Sequence, residues 1–244
     1  MSSTESENIP KLPPVEVVVW GDYACFTRPE AKAERVTYPF PTPGAARGIF
    51  EAIFWKPEFR YRVREIHLLK PVQYISFLRN EVTDKMPDPR REKLNPIDIV
   101  DKRTQRLTLA LRDVAYRLFA DIVVRPDVTD TPAKFRDQFR RRVEQGRCFH
   151  RPALGCREFA ADFCHPLQYE GSLRPAPFRQ PPSLMLFDIA FAADSDANAP
   201  LFFEAEVIDG RVTIPDAQYA LLETLSGPWL SRPRPNAPTP EDAE

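Results

Sequence analysis

Apolar residues recur along this chain with two spacings, and each spacing predicts an element. Val15 to Trp20 is a nearly continuous apolar run, which suits an interior strand of a sheet. Between Thr42 and Pro57, residues Ala45, Ala46, Ile49, Phe50, Ile53 and Phe54 fall on one stripe of a helix. Thr42 is its natural N-cap and Pro43 has the fixed φ of a first helical position, while Pro57 disfavours helix at Lys56. Phe59 to Leu69 then alternates, with Phe59, Tyr61, Val63, Glu65, His67 and Leu69 on one face and Arg60, Arg62, Arg64, Ile66 and Leu68 on the other. That pattern predicts a strand with arginines along one side. Lys70-Pro71 breaks it, and Val72 to Leu78 reads as the partner strand of a hairpin.

Farther along, Thr104 to Leu111 and Asp113 to Val124 are two strand candidates, the second a core strand. Thr131-Pro132 opens a second helix, which runs through Phe135, Phe139 and Val143 and should end at Gly146. Arg147 to Phe163 reads as two short strands around Pro152-Ala153-Leu154-Gly155. Leu184 to Ala192 is a further strand, Leu201 to Ile214 a hairpin turning at Asp209-Gly210, and Tyr219 to Leu225 a short apolar segment. Strand, long loop, helix and then a β-rich segment is how a ferredoxin-like unit begins, so the class is α+β. Polar, proline-rich stretches set the expected boundaries: a disordered tail at 1–14, a main domain at 15–165 with a flexible insertion at 80–103, a linker at 166–182, a small β domain at 183–228 and a disordered acidic tail at 229–244.

Charge changes the picture more than composition does. The net charge of -1 over 244 residues hides a basic front, with 28 Lys and Arg against 17 Asp and Glu from Arg28 to Arg157, and an acidic back, with 5 against 14 from Glu158 to Glu244. A surface of that kind suits a polyanionic partner. The four cysteines, Cys25, Cys148, Cys156 and Cys164, are too few and too scattered for a disulfide scaffold and read as free thiols. No apolar run approaches the roughly 18 residues of a membrane span and the polar start is unlike a signal peptide, so a cytoplasmic protein with no membrane partner is expected.

The strongest chemical features are the arginine-faced strand and the polar face of the second helix, with Lys134, Arg136, Arg140, Arg141 and Arg142. Cations so spaced concentrate positive potential where phosphates can reach it, and Phe149, His150, Phe26, Tyr61 or Trp55 offer stacking faces for unpaired bases. A solvated helix face is the blander explanation, but Arg140-Arg141-Arg142 has few local acids, so nucleic acid is favoured. Cys148, Cys156 and Cys164 are separated by seven residues each time, wider than the close pairs of zinc sites, and no metal or other cofactor is expected. The chain carries no Walker loop, GxGxxG or GxSxG. RNA can be cut without a metal when a base activates its own 2′-hydroxyl and cations stabilise the phosphorane, so Lys or Arg with a His or Tyr is a sufficient set.

Four blocks together resemble a known family. WGDYACFTRPE at 20–30, TPGAARGIFEAIFWKP at 42–57, RTQRLTLALRDVAY at 103–116 and GRCFHRPALGCREFAADF at 146–163 are similar to the fifth CRISPR-associated family in its type I-C (Dvulg) branch. The resemblance implies an RRM-like, ferredoxin-type N-terminal domain and a small antiparallel β C-terminal domain. It also implies a metal-independent endoribonuclease that cuts the CRISPR repeat transcript at the base of its hairpin. The enzyme then stays on the crRNA 5′ handle as a subunit of the type I-C Cascade complex. A handle-binding structural subunit without cleavage is the alternative, and an unrelated RRM-like RNA-binding module a more distant one. The branch's catalytic tyrosine falls on Phe54, its lysine on Lys134 and its histidine on Phe135, so only the lysine is retained, and His150 and Tyr38 are the candidates to complete the set. Arg28, Arg47, Lys56, Arg106, Arg140, Arg147, Phe149 and Arg157, in or near these blocks, are the expected RNA contacts. The insertion at 80–103 is a candidate to order against RNA or target double-stranded DNA.

Overall fold

The computed structural model describes residues 12–31, 33–83, 99–191 and 198–226. In chain order their elements are β1 (Val15–Ala24), β2 (Arg35–Val36), α1 (Pro43–Ile53), β3 (Phe59–Leu68), β4 (Tyr74–Val82), α2 (Ile99–Lys102), β5 (Arg103–Val124), α3 (Pro132–Glu144), β6 (Asp162–Cys164), β7 (Gln180–Phe191), β8 (Asn198–Val207), β9 (Arg211–Thr213) and α4 (Asp216–Ser226). The main sheet runs β6-β1-β5-β3-β9, each neighbouring pair antiparallel. β4 adds to β5 antiparallel and the short β2 adds parallel. β7 and β8 form a separate antiparallel pair. The protein is thus a mixed helix and sheet structure dominated by antiparallel pairing. The expected terminal tails lie almost wholly outside the described residues, as does most of the 80–103 insertion; of that insertion, residues 80–82 prolong β4 and 99–102 form α2.

β5 organises the sheet. The two strands expected at Thr104–Leu111 and Asp113–Val124 are one strand of 22 residues, because Asp113 takes a left-handed φ of 51° and turns the chain's pleat without ending it. Its first half pairs with β4 and its second half lies between β1 and β3. β3 departs from the alternation read along it for a related reason. A bulge in its pairing with β5, between Val63 and Glu65, shifts the phase by one residue. Ile66 and Leu68 therefore join Phe59, Tyr61 and Val63 in the core, whereas the unbroken period put them with the arginines.

α1 forms where its cap and stripe predict. The Thr42 hydroxyl accepts from the Ala45 N–H at 3.1 Å, and Ala46, Ile49, Phe50, Ala52 and Ile53 are buried. Each large apolar side chain so buried contributes roughly 1.5–3 kcal/mol. Phe50 stacks on Tyr61 of β3 at 5.2 Å and meets Phe139 of α3 at 5.5 Å, so both helices lie against one face of the sheet. Trp20, Tyr169 and Leu173 cover Val18 and Ala115 on the other face. α3 starts at Pro132 behind an extended Thr131 and is followed by Gly146 at φ +63°.

The C-terminal elements share the same core. β9 pairs with β3, and the Tyr219 hydroxyl of α4 donates to the Val63 carbonyl at 3.0 Å. β7 lies against the start of α1 so closely that a Cβ at Gly44 would sit 3.4 Å from the Phe187 carbonyl oxygen. The Asp209-Gly210 turn forms, both residues at positive φ, but the hairpin expected over Leu201 to Ile214 closes only at the Ile208–Arg211 bridge, because β8 pairs with β7 and β9 with β3.

Candidate nucleic-acid interface

The C-terminal end of α1 is where aromatic and cationic side chains converge. Phe54 ends the helix in an extended conformation, its ring buried 5.3 Å from that of Phe59 and its carbonyl accepting from the Tyr61 hydroxyl at 2.7 Å. Phe135 of α3 is also buried, 5.0 Å from Phe59. These two phenylalanines, at the positions implied to hold a tyrosine and a histidine, are core residues without a transferable proton. Cations lie over both rings: the Arg142 guanidinium is 5.4 Å from the centroid of Phe54 and the Lys56 ammonium 5.8 Å from that of Phe135. Arg142 also donates to the Ile53 carbonyl at 3.3 Å, tying α3 to the end of α1.

The outward face of α3 carries the remaining charge. The Lys134 ammonium reaches both carboxylate oxygens of Asp130 at 2.8 Å, with 59% of its side chain exposed. Arg140 pairs with Glu144 at 3.5 Å. Arg136 donates to the Pro13 carbonyl. Arg141, Arg147 and Arg157 have no carboxylate partner among the described residues, and neither has Arg106, which sits across from Arg79 on the β4-β5 arm.

The loop after α3 is fastened to α1 by its backbone, since the N–H groups of Phe149 and His150 both donate to the Ala52 carbonyl, at 2.8 and 3.2 Å. This leaves the Phe149 ring 84% exposed, a large aromatic face presented to solvent beside Arg147. The His150 ring is exposed, its Nδ1 3.3 Å from the Arg151 carbonyl. Next to it a groove of about 670 Å³ opens between the first turns of α1, the 150–157 loop and β7, with Arg47, Glu51, His150, Arg151, Arg157 and Asp188 around it.

Two expected residues, Arg47 and Tyr38, serve the interior, and Arg28 lies beside Tyr38. Arg47 holds Asp188 with two hydrogen bonds, one at 3.2 Å, and Glu51 at 3.3 Å. Burial alone would lower this guanidinium, but Asp188 and Glu51 outweigh it and hold it above the ordinary arginine value. Tyr38 is buried and its hydroxyl accepts from the Leu186 N–H at 3.2 Å, while burial raises its pKa. Arg28 lies 4.5 Å over the Tyr38 ring and pairs with Glu30 at 3.5 Å. The structure therefore places Lys134 in the first turn of α3, Arg140 toward its end, Arg147, Phe149, His150 and Arg157 in the loop beyond it, Lys56 after the end of α1 and Arg106 on the arm, so that Lys134 and His150 lie at opposite ends of α3. Arg142 and Arg151 belong to this surface too. Arg142 stood out only as part of an arginine run, and the position of Arg151 beside His150 was its only signal.

The class is an antiparallel α+β protein with an aromatic-bearing cationic surface along α3 and the loop after it. The comparisons with known proteins are more specific. Residues 15–212 match the Cas5d model of the CRISPR-associated protein (Cas5) family, and the chain belongs to that family in its Cas5d, type I-C branch. The CRISPR pre-crRNA endoribonuclease Cas5d of Thermus thermophilus is 43% identical over 227 residues, covering 86% of this chain and 95% of the relative. Its namesake from Mannheimia succiniciproducens is 38% identical over 216 residues, covering 82% and 94%. In fold, the chain is similar to the crystal structure of a CRISPR-associated protein at a TM-score of 0.57 and 23% identity, covering 83% of this chain and 91% of that one. Among the described residues no helix is long and apolar enough to cross a membrane.

Proposed function

We propose that this protein is a CRISPR pre-crRNA endoribonuclease that cuts the repeat transcript without a metal and remains on the 5′ handle as a subunit of the type I-C Cascade complex in the cytoplasm. The observation that carries this reading is the cationic surface around Phe149 and His150 in a chain whose curated relatives are named CRISPR pre-crRNA endoribonucleases. Phosphates would meet Arg140, Arg147, Arg157 and Lys56, and an unpaired base would stack on Phe149. In the reaction, His150 takes the proton of a 2′-hydroxyl, the 2′-oxygen attacks the adjacent phosphorus, and the 5′-oxygen leaves with a proton taken from water. The Lys134 ammonium stabilises the charge on the phosphorane. The products are a 2′,3′-cyclic phosphate and a 5′-hydroxyl. Arg47 already pairs with the groove's Asp188 and Glu51, so these carboxylates have a protein cation as partner, which supports a course that uses no metal.

We further read the order β6-β1-β5-β3, with α1 and α3 on one face, as an RRM-like, ferredoxin-type domain over 15–165, joined through 166–182 to the smaller β unit at 183–228. The burial of Phe54 and Phe135 favours a second reading, a subunit that binds the handle and does not cut. Repeat RNA incubated with the protein in EDTA distinguishes the two. The enzyme yields a 2′,3′-cyclic phosphate product, and Lys134→Ala slows its formation about 100-fold with unchanged melting. A stable complex with uncut RNA establishes the binding subunit, and wild-type cutting by Lys134→Ala removes Lys134 from the mechanism.

A further inference from the structure

Transesterification makes no use of sulfur, yet two thiols face one another where the 153–157 loop meets β1. The Cys25 N–H donates to the Leu154 carbonyl at 3.0 Å, and Cys25 forms a parallel bridge with Gly155. Gly155 has φ +87°, and a Cβ there would lie 2.0 Å from the Cys25 carbonyl oxygen. Only glycine lets the two backbones approach this closely, and the approach sets the Cys156 side chain against the backbone of Cys25. Cys156 Sγ is 3.6 Å from the Cys25 carbonyl oxygen and 3.6 Å from Arg35 Nη1, while Cys25 Sγ is 3.9 Å from the Leu109 carbonyl oxygen. Cys25 is buried and Cys156 half-buried, at the surface end of the pair.

The charged groups around the pair are Arg35, Glu158 and Glu81. Arg35 pairs with Glu158 and lies 3.7 Å from Glu81, so the carboxylates offset part of its charge. Cys25 and the nearby guanidinium still hold the Cys156 thiol below its ordinary value, against the opposing effect of burial. Cys156, and then burial, hold the Cys25 thiol well above its ordinary range.

We propose that Cys25 and Cys156 are a redox pair, oxidised by low-molecular-weight disulfides to an intramolecular disulfide with Cys156 as the attacking sulfur. The Cys156 thiolate attacks one sulfur of the oxidant, forming a mixed disulfide and expelling the first thiolate. Cys25 then attacks Cys156 Sγ, its proton passing to the departing second thiolate. The protein loses two electrons and two protons, and one small disulfide becomes two thiols. The new bond ties β1 to the loop that carries Arg157 and borders the groove.

The test uses the full chain and glutathione disulfide. After oxidation, peptide mapping without reductant should join the Cys25 and Cys156 peptides, with Cys148 and Cys164 still free. Cys25→Ser should stop at the glutathione adduct on Cys156, and Cys156→Ser should form neither. Alkylation of Cys156 by iodoacetamide should reach half of its maximal rate at a lower pH than that of an ordinary thiol, whose midpoint lies near 8.5. If the wild-type map shows Cys25 and Cys156 both free under excess oxidant, or a lasting glutathione adduct beside a free Cys25, the pair is not a redox device. That map decides the matter even if the serine variants fold poorly.

Discussion

Two arginine-rich faces look alike in the sequence and are used in opposite ways. On β3, Arg60 and Arg62 both reach Glu223 of α4, and Arg64 reaches Asp121 and Asp216. These guanidiniums attach the C-terminal helix to the sheet. On α3 and the loop after it, Arg141, Arg147 and Arg157 meet no carboxylate among the described residues, and the pairs of Arg140 and Lys134 are short-range and solvated. A run of cations therefore says little until its counter-ions are located. The acidic back of the chain supplies those for β3 and largely bypasses α3.

The comparison is most exposed at Glu223. Arg60 and Arg62 share that one carboxylate, and all three side chains are only 25% exposed. Burial already pushes Arg60 down from the ordinary arginine value, with Glu223 opposing it and Arg62 adding to it. Glu223→Ala leaves two adjacent, partly desolvated guanidiniums to repel each other, which should cost about 2 kcal/mol in chemical denaturation. Glu144→Ala, on the α3 face, should cost less than about 0.5 kcal/mol. Equal costs would mean that the two faces do not differ.

How far the sequence could carry this distinction follows from where each partner lies. Short-range signals were legible: the Thr42 cap with its stripe for α1, Pro132 and Gly146 for α3, and Asp209-Gly210 for a turn. One extra residue in β3 leaves no mark on composition, so the shift that buries Ile66 and Leu68 was hidden. Long-range pairing was hidden as well. Glu223 lies 163 positions from Arg60, and the Leu186 N–H that occupies the Tyr38 hydroxyl lies 148 positions away. Tyr38 thus looked available for chemistry, and Arg47 for RNA, because nothing local announces Leu186 or Asp188. Lys134, Arg147, Phe149 and His150 were readable because their exposure follows from a capped amphipathic helix and the loop behind it.

A smaller effect, on binding, sharpens the other side of the comparison. Arg147→Ala with Arg157→Ala removes two cations that have no carboxylate to lose, so melting should stay unchanged. Affinity for repeat RNA should fall about tenfold at low salt, and the plot of log K against log salt should flatten by about 1.4, near 0.7 for each phosphate contact to a single strand. An unchanged slope would place the RNA elsewhere.

The smallest effect distinguishes a counter-ion that stabilises from one that competes. Asp130 holds the Lys134 ammonium at 2.8 Å, but in a solvated pair at the start of α3. Such a pair contributes no more than about 0.5 kcal/mol to folding, so Asp130→Ala should leave the melting temperature nearly unchanged. A phosphate and Asp130 need the same ammonium, so the variant should bind repeat RNA about twofold more tightly. Weaker binding would show instead that Asp130 positions Lys134. The pair would then resemble those of β3, built to fix an orientation, and the contrast between the two faces would narrow to the arginines alone.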